Sequence, residues 1–225
     1  MMPAMKVFLL LALTALSFLS VFAAGGLKKQ DYFVFLETGK PTPDDDAAVT
    51  KMQQGHLANF TRLFGEGKLF AAGPMRDPDG LKRGIIWVEA DSKEELMTYF
   101  GPDQYIQNGH MTVNATPCRV NKALNTKDID PSGIEEVRII QIMRPARTLT
   151  AVESEANHAY LQELVDRGRV GGWFTLETGP VAEVLFWNTK DSALVKQVFS
   201  FYPSARNGDA EVKIWGQWIG KGVVK

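Results

Sequence analysis

The residue of this chain best placed to do chemistry is His56. Val49, Met52, His56, Phe60 and Leu63 recur at spacings of three and four, the period of one helix face, so the imidazole lies on an apolar stripe between Met52 and Phe60. There it is either a packed core side chain or one half of an acid–base site, because an ordinary imidazole exchanges its proton close to neutrality. The three carboxylates Asp44, Asp45 and Asp46 could hold a divalent cation. Thr42 as N-cap, Pro43 at the first helical position and acids at the positive end of the dipole explain the same run as a helix start.

The helix carrying His56 must be positioned by strands. Tyr32 to Leu36 is a short, continuous apolar run bounded by Thr38-Gly39, which predicts a buried strand. After the helix ends at Gly65-Glu66-Gly67, Lys68 to Met75 reads as a second strand, Asp77-Pro78-Asp79-Gly80 as a tight turn, and Gly84 to Val88 as a strand paired back on it. Ser92 and Glu95 form a capping box for a second helix carrying Leu96, Met97, Tyr99 and Phe100. Pro102 closes that helix, and Met111 to Val120 is the last strand. The order β-α-β-β-α-β predicts a ferredoxin-like unit with antiparallel pairing, an α+β fold.

After a polar linker at 125–135 the order returns. Strands are expected over Val137 to Ile142, Val170 to Leu176, Glu183 to Trp187 and from Val212, with helices from about Ala151 and after Asp191-Ser192. Gly67 precedes Gly168 by 101 residues, and Trp87 and Ser92 precede Trp187 and Ser192 by 100. Such an offset predicts two tandem ferredoxin-like repeats, residues 31–124 and 136–225. Counting back from the shared glycine, Asn157 takes the place of His56, and about Pro203 takes that of Asp103. The second copy is thus expected to lack both polar groups, which assigns one site per chain to the first.

With these features in place, residues 31 to 121 resemble the YCII-related (YciI-like) family of the dimeric α/β-barrel superfamily. The resemblance rests on Tyr32-Phe33-Val34, on His56-Leu57 followed by Gly67-Lys68-Leu69, and on Ala72-Gly73-Pro74-Met75. It continues through Gly84, Glu89-Ala90 with Ser92, and Asp103 with Tyr105. It implies units that pair sheet to sheet, the second repeat supplying the other half of an internal pseudo-dimer, and an active site built from His56 and Asp103. Tyr32, Phe60, Gly73, Pro74, Tyr105 and His110 are the candidate substrate-binding residues around that pair. Gln104 stands where the family pattern has proline, and His110 where it tends to be apolar. A His–Asp pair suits proton transfer, the carboxylate fixing the tautomer and steadying the imidazolium. By analogy with a dehydrochlorinase of this family and muconolactone isomerase of the superfamily, the expected activity is lyase or isomerase chemistry on a small cyclic or carbonyl compound. His110 could also join the pair as a two-histidine, one-carboxylate metal site, but three groups from unconnected elements do not argue for one. No metal and no cofactor are expected.

Composition bounds the rest. Met1 to Lys6 followed by an apolar run to Ala23 reads as a signal peptide over residues 1–23, cut near Ala23, then a short linker at 24–30. The expected location is secreted or periplasmic, the alternative being an uncleaved membrane anchor. Cleavage removes one lysine, taking 25 basic and 26 acidic residues to 24 and 26. The mature chain has no basic excess to favour nucleic acid. A single cysteine, Cys118, excludes an intrachain disulfide and suits a small buried hydrophobe. The expected partner is a small-molecule ligand or substrate, with a homo-oligomer possible and no stable membrane insertion after cleavage. The alternative to an enzyme is a non-catalytic binding or structural module, with Trp87, Trp173, Trp187, Trp215 and Trp218 lining a cleft between the repeats.

Overall fold

Eight strands hydrogen-bond side by side around one closed antiparallel barrel in the order β1-β3-β2-β8-β5-β7-β6-β4. The computed structural model describes residues 29–127 and 129–225. Its elements are β1 (Gln30–Thr38), α1 (Asp46–Gly65), β2 (Leu69–Arg76), β3 (Lys82–Ala90), α2 (Lys93–Tyr99), α3 (Gln104–Gln107) and β4 (Met111–Lys122). They continue as β5 (Asp130–Met143), α4 (Ala151–Asp166), β6 (Gly172–Leu176), β7 (Val181–Trp187), α5 (Ser192–Phe199), α6 (Pro203–Arg206) and β8 (Val212–Lys221). The expected signal peptide at 1–23, and all but the end of the linker at 24–30, lie outside the described residues.

Alternation along each strand divides the core. Phe33 and Phe35 point into the barrel, where they pack with Trp87, Phe174 and Phe186, while Tyr32, Val34 and Leu36 point outward under α1 and α2. Both faces of β1 are covered, which is why Tyr32 to Leu36 is apolar without interruption. A barrel of eight strands leaves room for little beyond side chains, and the aromatic rings fill it: Phe174 lies 5.2 Å from Phe33 and 5.3 Å from Trp87, centroid to centroid. Cys118 is buried in this interior, and burial pushes its thiol above the ordinary range. It behaves as the small hydrophobe its isolation suggests. A separate cluster lies between α4, α5 and the outer face of β5, β6 and β7.

Within the ring, β4-β1-β3-β2 is followed by β8-β5-β7-β6. Two seams close it: β2 meets β8 at Met75↔Gln217 and Arg76↔Gly216, and β4 meets β6 from Cys118↔Leu176 to Lys122↔Trp173.

Several local boundaries differ from expectation. Helix α1 starts at Asp46 rather than Pro43, because the Asp45 side chain accepts hydrogen bonds from the Ala47 and Ala48 amides at 2.9 and 3.3 Å and takes the N-cap role assigned to Thr42. The capping box at Ser92 is split: Ser92 accepts from the Glu95 amide, but Glu95 reaches back to the Asp91 amide. Part of the expected linker at 125–135 is strand, since β5 begins at Asp130 and pairs with β8 across an irregularity before Ile134. Helices α3 and α6 have four residues each, too few for periodicity to reveal.

Candidate active site

His56 comes from the buried face of α1, and Asp103 from the N-cap of α3. Asp103 is fully buried and His56 is 8% exposed. One carboxylate oxygen of Asp103, Oδ1, accepts from the Tyr105 amide at 3.0 Å, which starts α3. The other, Oδ2, lies 2.5 Å from Nδ1 of His56. A buried carboxylate needs such partners, since burial without them is costly. The imidazole is flanked by Phe60 at 4.2 Å and by the edge of Tyr105 at 5.7 Å. With Nδ1 held, Nε2 is the ring nitrogen left for a ligand.

His56 forms part of the wall of a mostly apolar pocket of about 510 Å³. Phe60, Gly73 and Pro74 line it too. Trp218 and the exposed Ile134 complete it across the β2–β8 seam, and Arg83 stands at its rim. Tyr32, Tyr105 and His110 do not line it. Tyr32 and Tyr105 are buried in the cluster beneath α1, and His110 directs Nδ1 to the Lys40 carbonyl at 3.3 Å. No cluster of three or more His, Cys, Asp or Glu side chains occurs among the described residues, so His110 does not converge with the pair. Trp218 is among the five tryptophans expected to line a cleft between the repeats, but nothing in the sequence joins it to His56 or singles out Ile134, because both lie in the other half of the chain. Of the remaining tryptophans, Trp87 and Trp215 belong to the barrel interior, and Trp173 and Trp187 lie beneath α4 and α5.

One correction bears on the site itself. The residue that answers to Asp103 is Ser204, not Pro203, and the second half does not lack the polar pair. Asn157 donates through Nδ2 to Ser204 Oγ at 2.6 Å, and the Ser204 amide donates to Asn157 Oδ1 at 3.1 Å. Both pairs are separated by 47 residues. In each half, therefore, the bond pins the long helix to the short one, and only the first half does so with groups that can exchange a proton. The 101-residue offset of Gly67 and Gly168, carried through to Asp103, would have found Ser204.

The second half has a cleft of its own, of about 770 Å³, lined by Arg119, Trp173 and Glu183 among others. Burial pushes the Glu183 carboxyl up, against hydrogen bonds from Trp173 and Thr175 and the charges of Arg119 and Arg144. With its folded pKa above the unfolded one, Glu183 contributes stability that is fully present below the unfolded pKa. That contribution is lost as pH rises through the folded value. Replacing Glu183 with Gln should therefore leave stability nearly unchanged in acid and make the protein progressively the more stable of the two as pH rises above the ordinary carboxylate range. Urea unfolding across pH measures this, and parallel curves for the two proteins would count against it.

No family model matches the chain. No curated protein matches it either. Solved structures do resemble it. A candidate monooxygenase from Fusobacterium nucleatum subsp. nucleatum aligns at 10% identity with a TM-score of 0.55, over 86% of this chain and 95% of that one. A mutant chlorite dismutase from Candidatus Nitrospira defluvii, in complex with cyanide, aligns at 11% identity with a TM-score of 0.51, over 84% and 90%. A heme-binding protein from Thermus thermophilus aligns at 10% identity with a TM-score of 0.50, over 85% and 92%. At such identities the likeness is one of architecture, an α+β fold built on a closed antiparallel barrel.

Proposed function

We propose that this chain is a tandem duplication of a βαββαβ unit whose first copy keeps an acid–base site of the YCII-related kind. In this reading His56 moves a proton at a carbon next to a carbonyl or enol of a small, largely apolar compound, in lyase or isomerase chemistry. The observation that carries it is the 2.5 Å bond from a fully buried Asp103 to Nδ1 of a histidine on the pocket wall. Asp103 accepts a hydrogen bond from Nδ1–H and fixes the tautomer, so that Nε2 carries the lone pair that takes the substrate proton. The imidazolium formed is steadied by the same carboxylate and returns the proton to a neighbouring carbon or a leaving group. The apolar walls suit a ring or short chain, and Arg83 at the rim is placed to meet a carbonyl oxygen or a carboxylate.

The test is deuterium incorporation, followed by NMR in heavy water, at the carbon next to the carbonyl of a panel of small cyclic ketones and lactones. Exchange above the buffer rate that disappears in His56→Ala supports the reading. Exchange unaffected by that substitution, or a shifted Soret band on hemin addition that requires His56, would replace it. The duplication is supported by the recurrence of one strand order and by the two 47-residue pairs.

Export is proposed from the leader-like residues 1–23. The protein recovered from outside the cytoplasm should begin near Ala24, and N-terminal sequencing that finds Met1 retained would speak for the membrane-anchored alternative.

A further inference from the structure

The cleft in the second half is the counterpart of the pocket over His56. Leu176↔Cys118 at one seam answers to Met75↔Gln217 at the other, which puts Arg119 where the first pocket has Trp218. Thr175↔Glu183 answers to Pro74↔Gly84, which puts Glu183 in place of a glycine. One chain thus presents two equivalent hollows, one apolar and one charged. This comparison rests on the duplication proposed above, but the cleft and its charges do not.

The charged groups of the cleft are not all committed elsewhere. Arg147 is occupied, with Glu153 at 2.7 Å and Asp209 at 2.8 Å. Arg144 spends Nε and Nη2 on the carbonyls of Gly179 and Leu176 at 2.8 and 2.7 Å, which fixes its position. Arg119 is exposed; its Nε donates to Asn121 at 3.0 Å, Nη2 reaches Thr175 only at 3.5 Å, and Nη1 has no partner among the described residues. Glu183 receives both Trp173 Nε1 and Thr175 Oγ1 on a single oxygen, Oε2, each at 2.8 Å. Its Oε1 has no partner among the described residues. Leu161, Ile142 and the almost fully buried Trp173 supply apolar wall, and the His158 ring lies 5.0 Å from the Trp173 ring.

We infer that this cleft binds a small organic acid, its carboxylate taken by Arg119 beside Glu183 and its carbon skeleton laid along Trp173, at a site separate from the His56 pocket. Two guanidiniums near a half-buried carboxyl favour an anion over a cation. A planar guanidinium with a free edge matches a carboxylate. Glu183, with Oε1 open, can share a proton with a second carboxyl group.

Benzoate serves as the probe, and the indole N–H signals of Trp173 and Trp218, assigned by Trp→Phe variants, serve as reporters, since each tryptophan lines a different pocket. Benzoate should move the Trp173 signal saturably and leave Trp218 in place, while benzylammonium moves neither. Arg119→Gln, on an exposed side chain whose loss spares the core, should weaken benzoate about tenfold or more, the worth of a charged hydrogen bond. The inference is overturned if benzoate leaves Trp173 unmoved at millimolar concentration. It is also overturned if only Trp218 moves, if Arg119→Gln binds benzoate as well as the parent, or if benzylammonium competes. Hemin binding that depends on His158 would assign the cleft to a porphyrin instead. A failure to exchange deuterium at the His56 pocket has no bearing on any of these outcomes.

Discussion

Substituting Asn for His56 together with Ser for Asp103 is expected to leave the fold standing and abolish proton exchange. The second half of the chain already contains this pair, Asn157 with Ser204, in the equivalent place between the long and the short helix. The double variant therefore installs hydrogen bonds the architecture demonstrably accepts, while removing the only groups of the pair that exchange a proton. The loss should be about 10²–10⁴-fold, the usual contribution of a positioned acid–base group. His56→Ala alone is the harsher change. It leaves the carboxylate of a fully buried Asp103 without its side-chain partner, and removing one member of a buried pair costs about 3 kcal/mol or more. Urea unfolding of the three proteins separates the two roles. If the double variant retains exchange, the pair is only a brace between α1 and α3, as Asn157–Ser204 is between α4 and α6, and the catalytic reading fails.

Gly73→Val should be the most damaging single substitution to the barrel itself. A Cβ built on Gly73 would lie 1.9 Å from the Trp218 carbonyl oxygen and 2.8 Å from the Gln217 side chain. The first of these is backbone and cannot turn away. The clash falls at the seam where β2 meets β8 through only Met75↔Gln217 and Arg76↔Gly216, so there is little pairing to resist separation. Overpacking of this kind costs about 3 kcal/mol, and here it also opens the wall of the pocket that holds His56. A lowered urea midpoint together with loss of the deuterium exchange proposed for the His56 pocket is the expected result. Unchanged stability would mean that the seam does not depend on this close approach. Gly73 was expected to bind substrate, and it does line the pocket, but its lack of a side chain is explained first by the neighbouring strand.

The local order of the chain was readable because its signals are local. The continuous apolar run of β1, the helical stripe of α1, the caps at Ser92 and Asp191 and the 101-residue glycine offset each depend on neighbours a few residues apart or on simple repetition. They determined the alternation of strands and helices, and His56 as the side chain facing inward. The resemblance then supplied Asp103, which pattern alone would not have joined to a histidine 47 residues away. Short helices carry no period, so α3 and α6 were missed, and with them the N-cap that explains why Asp103 is held still.

Only the tertiary structure decided what surrounds the pair. Closing the ring brings Trp218 from the far end of the chain and Ile134 from its middle onto the pocket over His56, and no spacing encodes a meeting across a seam that depends on the register of β2 against β8. Closure likewise sends Tyr32 and Tyr105 beneath the helices and His110 toward Lys40, because alternation in a strand fixes which side a residue faces but not what the other side meets. The same packing set Asn157 against Ser204 and Arg119 beside Glu183. The sequence thus determined the order of strands and helices, while the closing of eight strands into one barrel decided which side chains share a pocket.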